Sequence, residues 1–261
     1  MSTRHTTELP TDGSIRRPVR CLAASASLVV LLLAGCTASG DDSSDAAVPT
    51  LEPSTTSNFE YVDCPPNIEG VDALDFPPEV RCGYLTVPES RDDPEGKQIR
   101  IFVMRAPATS DDPKPYPLVM LAGGPGGAGS FEITGKMAAG LNADREVIFV
   151  DQRGTHLADP LLGCPETEKI DNAAISMPFL SAELTAAEVA ANQTCVRRVR
   201  DEGYDPAAYN TAENAADIAD LRVALGIDEW DVHGVSYGSR LALAYLRLHP
   251  EGIRSVVLDS V

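Results

Sequence analysis

Short apolar, β-branched runs alternate along the second half of the chain with longer segments of helical character. Pro117 to Leu121, Glu146 to Val150, Trp230 to His233 and Ser255 to Leu258 are such runs, each of strand length. The stretches between them are long enough to hold the crossover helices that parallel neighbours require. The alternation predicts an α/β fold, with a mostly parallel sheet covered on both faces. Upstream, Arg81 to Val87 and Gln98 to Arg105 flank Asp92-Asp93-Pro94-Glu95-Gly96 and read as an antiparallel hairpin. Asn210-Thr211-Ala212-Glu213 reads as a capping box ahead of Ile218, Leu221 and Leu225 on one helical face, with Gly226 as the stop. Ser239 to Leu248 reads as the next helix, and Glu166 to Arg200 as Ala- and Glu-rich helix of poor period.

The N-terminus breaks this pattern. Arg16, Arg17 and Arg20 precede an apolar run from Leu22 to Ala34, too short to span a bilayer and of the size of a signal-peptide core. Residues 1–35 are therefore read as a signal peptide, and the chain as exported. Leu33-Ala34-Gly35-Cys36 resembles the lipobox of bacterial lipoproteins, in which the cysteine is lipidated; an ordinary cleavage site beside a cysteine is the other reading. Residues 36–58 are rich in Ser, Thr, Asp and Pro and read as a flexible tether. Residues 59–261 remain as the N-terminal part of a globular domain, for which 43% hydrophobic residues suit a buried core.

Charge narrows the partners. The whole chain carries −18, and residues 1–35 hold four Arg against Glu8 and Asp12, which leaves the rest at −20. Nucleic acid and anionic membrane surfaces are excluded as electrostatic partners, so membrane contact is expected through the lipid alone. Beyond Cys21 and Cys36, four cysteines remain, Cys64, Cys82, Cys164 and Cys195. Export permits their oxidation. Of three pairings, the local one joins Cys64 to Cys82 and Cys164 to Cys195, closing two loops worth about 3 kcal/mol each. No C-x-x-C or paired-His spacing supports a metal.

Two motifs carry chemistry. Gly234-Val235-Ser236-Tyr237-Gly238 is a G-x-S-x-G run between a strand-like and a helix-like segment, the context in which a serine is lifted out of a sheet as a nucleophile. Leu121-Ala122-Gly123-Gly124-Pro125-Gly126-Gly127-Ala128-Gly129 follows a strand and can supply one oxyanion-hole N–H, from Gly124, with Tyr237 supplying the other. The same loop satisfies G-x-G-x-x-G, with Asp151 about 20 residues on, which is the fingerprint of a dinucleotide site. The antiparallel hairpin before it, Gly135 and Gly140 breaking the segment after it, and export oppose that reading; no cofactor is expected. Where this elbow occurs, the acid and then the histidine follow the serine in the chain, so both are expected beyond Val261. His233 lies within a strand and His249 at a helix end. His156, on a loop after a strand, is the one conceivable substitute base.

Gly123-Gly124-Pro125-Gly126, Asp151-Gln152-Arg153-Gly154-Thr155, Gly234-Val235-Ser236-Tyr237-Gly238-Ser239-Arg240 and Arg254-Ser255-Val256-Val257-Leu258-Asp259-Ser260-Val261 occur in one order. Together they resemble the α/β-hydrolase family of proline iminopeptidases and secreted bacterial tripeptidyl aminopeptidases, from about Cys64 to the end. The resemblance implies an α/β-hydrolase fold cut before its cap and last strands, and a peptidase acting on peptide substrates. It implies Ser236 as acyl-enzyme nucleophile, Gly124 and Tyr237 as oxyanion hole, and Asp151 and Arg153 as structural supports. Ala122 and His156 depart from the family pattern, where Pro or His and Gly are usual. A carboxylesterase and a non-catalytic surface binding protein are the alternatives.

Overall fold

Period-two burial along the strands decides which side chains meet which helices. Strands β1 (Asn58–Val62), β2 (Arg81–Pro88), β3 (Gln98–Ala106), β4 (Leu118–Leu121), β5 (Val147–Asp151), β6 (Trp230–Val235) and β7 (Ile253–Asp259) form a single sheet. Their order is β1-β2-β3-β5-β4-β6-β7. The structure, a computed structural model, describes residues 58–65, 76–178 and 181–261. The proposed signal peptide and Cys36 lie outside the described residues. Strands β1, β2, β3 and β5 pair antiparallel in turn, while β5, β4, β6 and β7 pair parallel. The α/β fold and its antiparallel hairpin are as the sequence pattern predicts; the sheet is evenly mixed rather than mostly parallel, because β3 also pairs antiparallel with β5 and because β1 has no counterpart in the sequence reading.

Among the described residues, five α-helices connect or cover the strands: α1 (Gly129–Ala138), α2 (Pro165–Ala174), α3 (Ala182–Asp201), α4 (Thr211–Ala224) and α5 (Tyr237–Leu248). On one face Ile99, Ile101, Val103, Val119, Leu121, Ile148, Val150 and Val232 pack with Ile218, Leu221, Leu241 and Tyr245 of α4 and α5. On the other, Phe102, Met104, Met120, Val147 and Phe149 pack with Ile133 of α1. Alternate residues of each strand therefore serve opposite cores, and each large apolar side chain fully buried contributes about 1.5–3 kcal/mol. Trp230 and Tyr245 are among the largest buried side chains, and the indole N–H donates to the Tyr245 hydroxyl at 3.2 Å. Cys64 is bonded to Cys82 and Cys164 to Cys195. Among the described residues, no helix is long and apolar enough to cross a membrane.

Helix α4 carries an unexpected second buried face. Its Asn210 cap accepts from Ala212 and Glu213 N–H, but Glu213 does not return the bond that a full capping box requires. Instead Glu213, Asp217 and Asp220, four and three residues apart, turn one stripe of carboxylates toward two buried arginines. Arg91 reaches Glu213, Asp217 and Asp220 at 2.6, 2.9 and 2.7 Å. Arg153 reaches Asp217 at 2.7 Å and donates to the Glu89 and Ala208 carbonyls. Burial opposes the charge on Arg91, yet the Asp217 and Asp220 carboxylates and the bond to Glu213 hold its pKa above the ordinary arginine value.

A second charge cluster fastens the other end of the sheet. Asp231 accepts from Arg145 at 2.6 Å, Arg254 at 2.5 Å and the Ser255 hydroxyl at 2.6 Å. Burial works to raise its pKa, but the bonds from Arg254 and Ser255 and the charges of Arg254 and Arg145 outweigh it, and the carboxyl titrates below its ordinary range.

Two outcomes follow. Arg153→Met leaves three buried carboxylates, Glu213, Asp217 and Asp220, to Arg91 alone and strips the Glu89 and Ala208 carbonyls of their donor, so urea denaturation at neutral pH should show a loss of about 3–5 kcal/mol; a loss under about 1 kcal/mol would refute the network's role. The depressed Asp231 pKa means that its contribution is complete above about pH 4, the unfolded value, and drains away as pH falls through the lower folded value. Asp231→Asn should therefore flatten the acid limb of a stability–pH profile, and an unchanged slope would refute the assignment.

Candidate active site

Strand β6 ends at Val235 and helix α5 begins at Tyr237, so Ser236 alone turns the chain from one to the other. It does so at φ 53° and ψ −119°, a conformation that costs a residue with a β-carbon on the order of 1–3 kcal/mol. Three contacts hold it there. The Ser236 N–H donates to the Asp259 carbonyl at 2.8 Å, and the Ser239 N–H donates to the Ser236 carbonyl at 2.9 Å. The Ser239 hydroxyl lies 2.9 Å from both the Gly234 and Asp259 carbonyl oxygens. Two glycines allow the approach: a β-carbon on Gly234 would lie 2.2 Å from the Gly238 carbonyl oxygen, and one on Gly238 would lie 1.9 Å from that of Leu121. The serine itself is exposed.

The glycine loop runs beside it. A β-carbon on Gly123 would sit 3.0 Å from Ser236 Cβ and 3.6 Å from its Oγ. Gly124 and Gly126 follow at φ 114° and 99°, values that only glycine adopts freely. The Gly127 N–H donates to the Gly123 carbonyl at 3.0 Å and closes the turn. Structure thus brings Ser236, the Gly124 loop and Tyr237 to one place at the carboxyl ends of the parallel strands. Tyr237 opens α5, where the first backbone N–H groups lack helical partners and the dipole is positive. Its hydroxyl lies 3.0 Å from the Thr211 hydroxyl, which ties the start of α5 to the start of α4.

Three consecutive residues at the end of β5, Asp151, Gln152 and Arg153, hold this loop and its surroundings. Asp151 accepts the Ser130 N–H and hydroxyl, each at 2.8 Å, and the Leu157 N–H at 3.1 Å. Its carboxylate is therefore engaged by the first turn of α1 rather than turned toward a ribose. Gln152 donates to the Ala122 carbonyl at 3.0 Å, and Arg153 enters the buried network. The sequence reading missed Ser130, Gln152 and Ser239. Of these, Gln152 and Ser239 stood within the family-like motifs without a role, and Ser130 left no trace.

The histidines are directed elsewhere. Ser130 donates its hydroxyl hydrogen to Asp151, which can only accept, so Ser130 Oγ accepts from His156 Nδ1 at 2.8 Å. That fixes the hydrogen on Nδ1. The ring stacks on Phe131 with centroids 4.1 Å apart, and Nε2 is buried with no hydrogen-bond partner among the described residues. His233 Nε2 lies 4.0 Å from Asp259; burial first, then the Lys136 charge, lower its pKa against the opposing pull of Asp259. His249 follows α5, thirteen residues from Ser236 and so roughly 20 Å along the helix. Cys164, Glu166 and Cys195 cluster closely enough to suggest a metal, but both sulfurs belong to the disulfide.

Comparison with known proteins identifies the fold family. Residues 116–261 match the model of the alpha/beta hydrolase fold family. The chain is 31% identical over 197 residues to a tripeptidyl aminopeptidase of Streptomyces lividans, covering 71% of this chain and 36% of that one. It is 29% identical over 184 residues to the serine protease Hip1 of Mycobacterium tuberculosis, covering 68% and 35%. The crystal structure of proline iminopeptidase from Mycobacterium smegmatis aligns with 22% identity and a TM-score of 0.40, over 66% of this chain and 42% of that one. The chain thus spans about a third of the length of the first two relatives.

The elbow geometry predicts opposite effects at neighbouring positions. Gly238→Ala should cost about 3 kcal/mol, because the new methyl meets backbone that cannot swing aside. Ser236→Gly should gain roughly 1 kcal/mol, the relieved backbone strain exceeding glycine's greater freedom when unfolded. Chemical denaturation of both beside Ser236→Ala checks this; a Ser236→Gly variant less stable than Ser236→Ala would show that the turn is unstrained.

Proposed function

The chain belongs to the α/β-hydrolase family, and on that premise we propose that it is the nucleophile-bearing part of an exported serine hydrolase of aminopeptidase type. Ser236 Oγ attacks the carbonyl carbon of an amide, the C–N bond breaks with a proton passing to the leaving amine, and water then releases the acyl group. The Gly124 and Tyr237 N–H groups receive the developing oxyanion. The observation that carries this reading is the exposed, strained Ser236 packed against the Gly123–Gly124 loop. The relatives' names, tripeptidyl aminopeptidase and serine protease Hip1, support amide rather than ester substrates. An esterase uses the same elbow and loop and is the second reading.

Export rests on residues 1–35, anchoring on lipidation of Cys36 through the 36–58 tether, and both suit a domain with two disulfides. In this proposal the 261 residues do not turn over substrate alone. An unassisted serine is a weak nucleophile, and His156 and His233 are held by Ser130 and beside Asp259.

The test supplies the missing base. An activated tripeptidyl ester, with and without added imidazole, should acylate Ser236 in an imidazole-dependent manner, read by intact mass and peptide mapping. Ser236→Ala should show no adduct. Labelling that survives in Ser236→Ala would overturn the assignment, and rapid imidazole-independent turnover that disappears in His156→Ala would show that the chain contains its own base. Faster acylation by a short acyl ester than by the tripeptidyl ester would favour the esterase.

A further inference from the structure

Residue Gln152 has no part in the reaction as proposed, yet its position is unusually constrained. It follows the last residue of β5, is 3% exposed, and donates from Nε2 to the Ala122 carbonyl at 3.0 Å, itself on a residue 2% exposed. That carbonyl oxygen also lies 3.0 Å from where a β-carbon on Gly238 would be. Ala122 is therefore wedged between the first turn of α5 and the end of β5, and the next two residues are Gly123, which backs onto Ser236, and Gly124. Downstream, the same strand end holds the far side of the loop through Asp151 and Ser130. Between the two pins, five glycines give the backbone wide conformational freedom, closed by the bond from Gly127 to Gly123.

The chemistry of the pin is specific. A buried carbonyl needs a donor, and losing its partner leaves it unsatisfied away from water. A cationic donor would bring an unbalanced charge into the site, and a carboxylate would repel both the carbonyl and an oxyanion forming nearby. A primary amide satisfies the carbonyl without adding charge. We propose that Gln152 is the positioning residue of the oxyanion loop: by holding the Ala122 carbonyl it sets the Gly124 N–H against Ser236. The inference rests on the acyl-transfer reading of Ser236, and its test separates the two.

Amide hydrogen exchange on the isotopically labelled 261-residue chain reads the loop without requiring turnover. In Gln152→Met, which keeps the shape and removes the donor, the Gly127 amide, which donates to the Gly123 carbonyl and closes the loop, should exchange at least about tenfold faster, while Val103 and Val150 in the sheet keep the parent rate. Gln152→Glu should behave like Gln152→Met at neutral pH. In mild acid, where a buried carboxyl regains its proton, it can donate to the Ala122 carbonyl and should recover parent-like loop exchange. Loop exchange unchanged in both variants, equal acceleration of loop and sheet, or no recovery of Gln152→Glu in acid would each overturn the proposal. Imidazole-assisted acylation of Ser236 should also slow about tenfold in Gln152→Met, and an unchanged rate would overturn the link to the oxyanion. If the parent chain shows no acylation at Ser236, the functional reading falls, while the exchange experiment still decides whether Gln152 sets the loop.

Discussion

The Leu121 carbonyl oxygen occupies the space that a side chain on Gly238 would need, and the geometry of the site depends on that contact. It lets helix α5 start almost against the end of β4, so the turn joining β6 to α5 has room for one residue. A single residue making that turn must adopt positive φ. Strain at Ser236, exposure of its hydroxyl and the closeness of Gly123 are therefore consequences of one packing decision. They are not independent features that happen to coincide. The strain persists because bonds from Ser236 N–H and Ser239 to the β7 backbone hold the turn in place.

The buried charges do a different task. Arg91 and Arg153 link the loop after β2, the loop after β5 and helix α4, which are far apart in sequence. Apolar residues of equal volume could fill the same space with little loss or even a gain of stability. What they would not supply is direction: Arg153 uses its planar fork on Asp217 and on two carbonyls at once, which fixes where the segment after β5 leaves the sheet. Gln152 and Asp151 precede it, so the network also aims the two residues that hold the glycine loop.

How much of this was legible in the sequence follows from which signals are local. Strands β2 to β7 and helix α5 announce themselves through runs and alternation, since each strand must fill one or two cores. The elbow and the glycine loop are legible because glycines at fixed spacing mark backbone contacts that no other residue permits. Helix α4 was half legible: Ile218 and Leu221 marked the apolar stripe, but Glu213 read only as the close of a capping box and Asp217 and Asp220 carried no reading, because their partners lie far off in sequence at Arg91 and Arg153. Strand β1 was hidden for a similar reason, because its burial is slight and its support comes from pairing with β2. Ser130 and Gln152 illustrate the limit, since a short polar side chain has no sequence pattern that says which distant carbonyl or carboxylate it will meet.

The histidine beside the site shows why proximity is weaker evidence than hydrogen-bond direction. His156 sits on a loop at the carboxyl ends of the strands, where a base belongs, and it is joined to a serine and an aspartate. In the arrangement that activates a serine, the carboxylate holds Nδ1 and the nucleophile faces Nε2. Here Ser130 stands between Asp151 and Nδ1, its hydrogen directed at the carboxylate, so its oxygen is an acceptor and not a proton donor toward the ring. Nε2, the atom that would take a proton, is buried against protein. For His156 to serve Ser236 it would have to leave Ser130, unstack from Phe131 and change the positive φ that places it. The three constraints act together, and they make His156 a fastening of the loop after β5 to α1 in the resting structure.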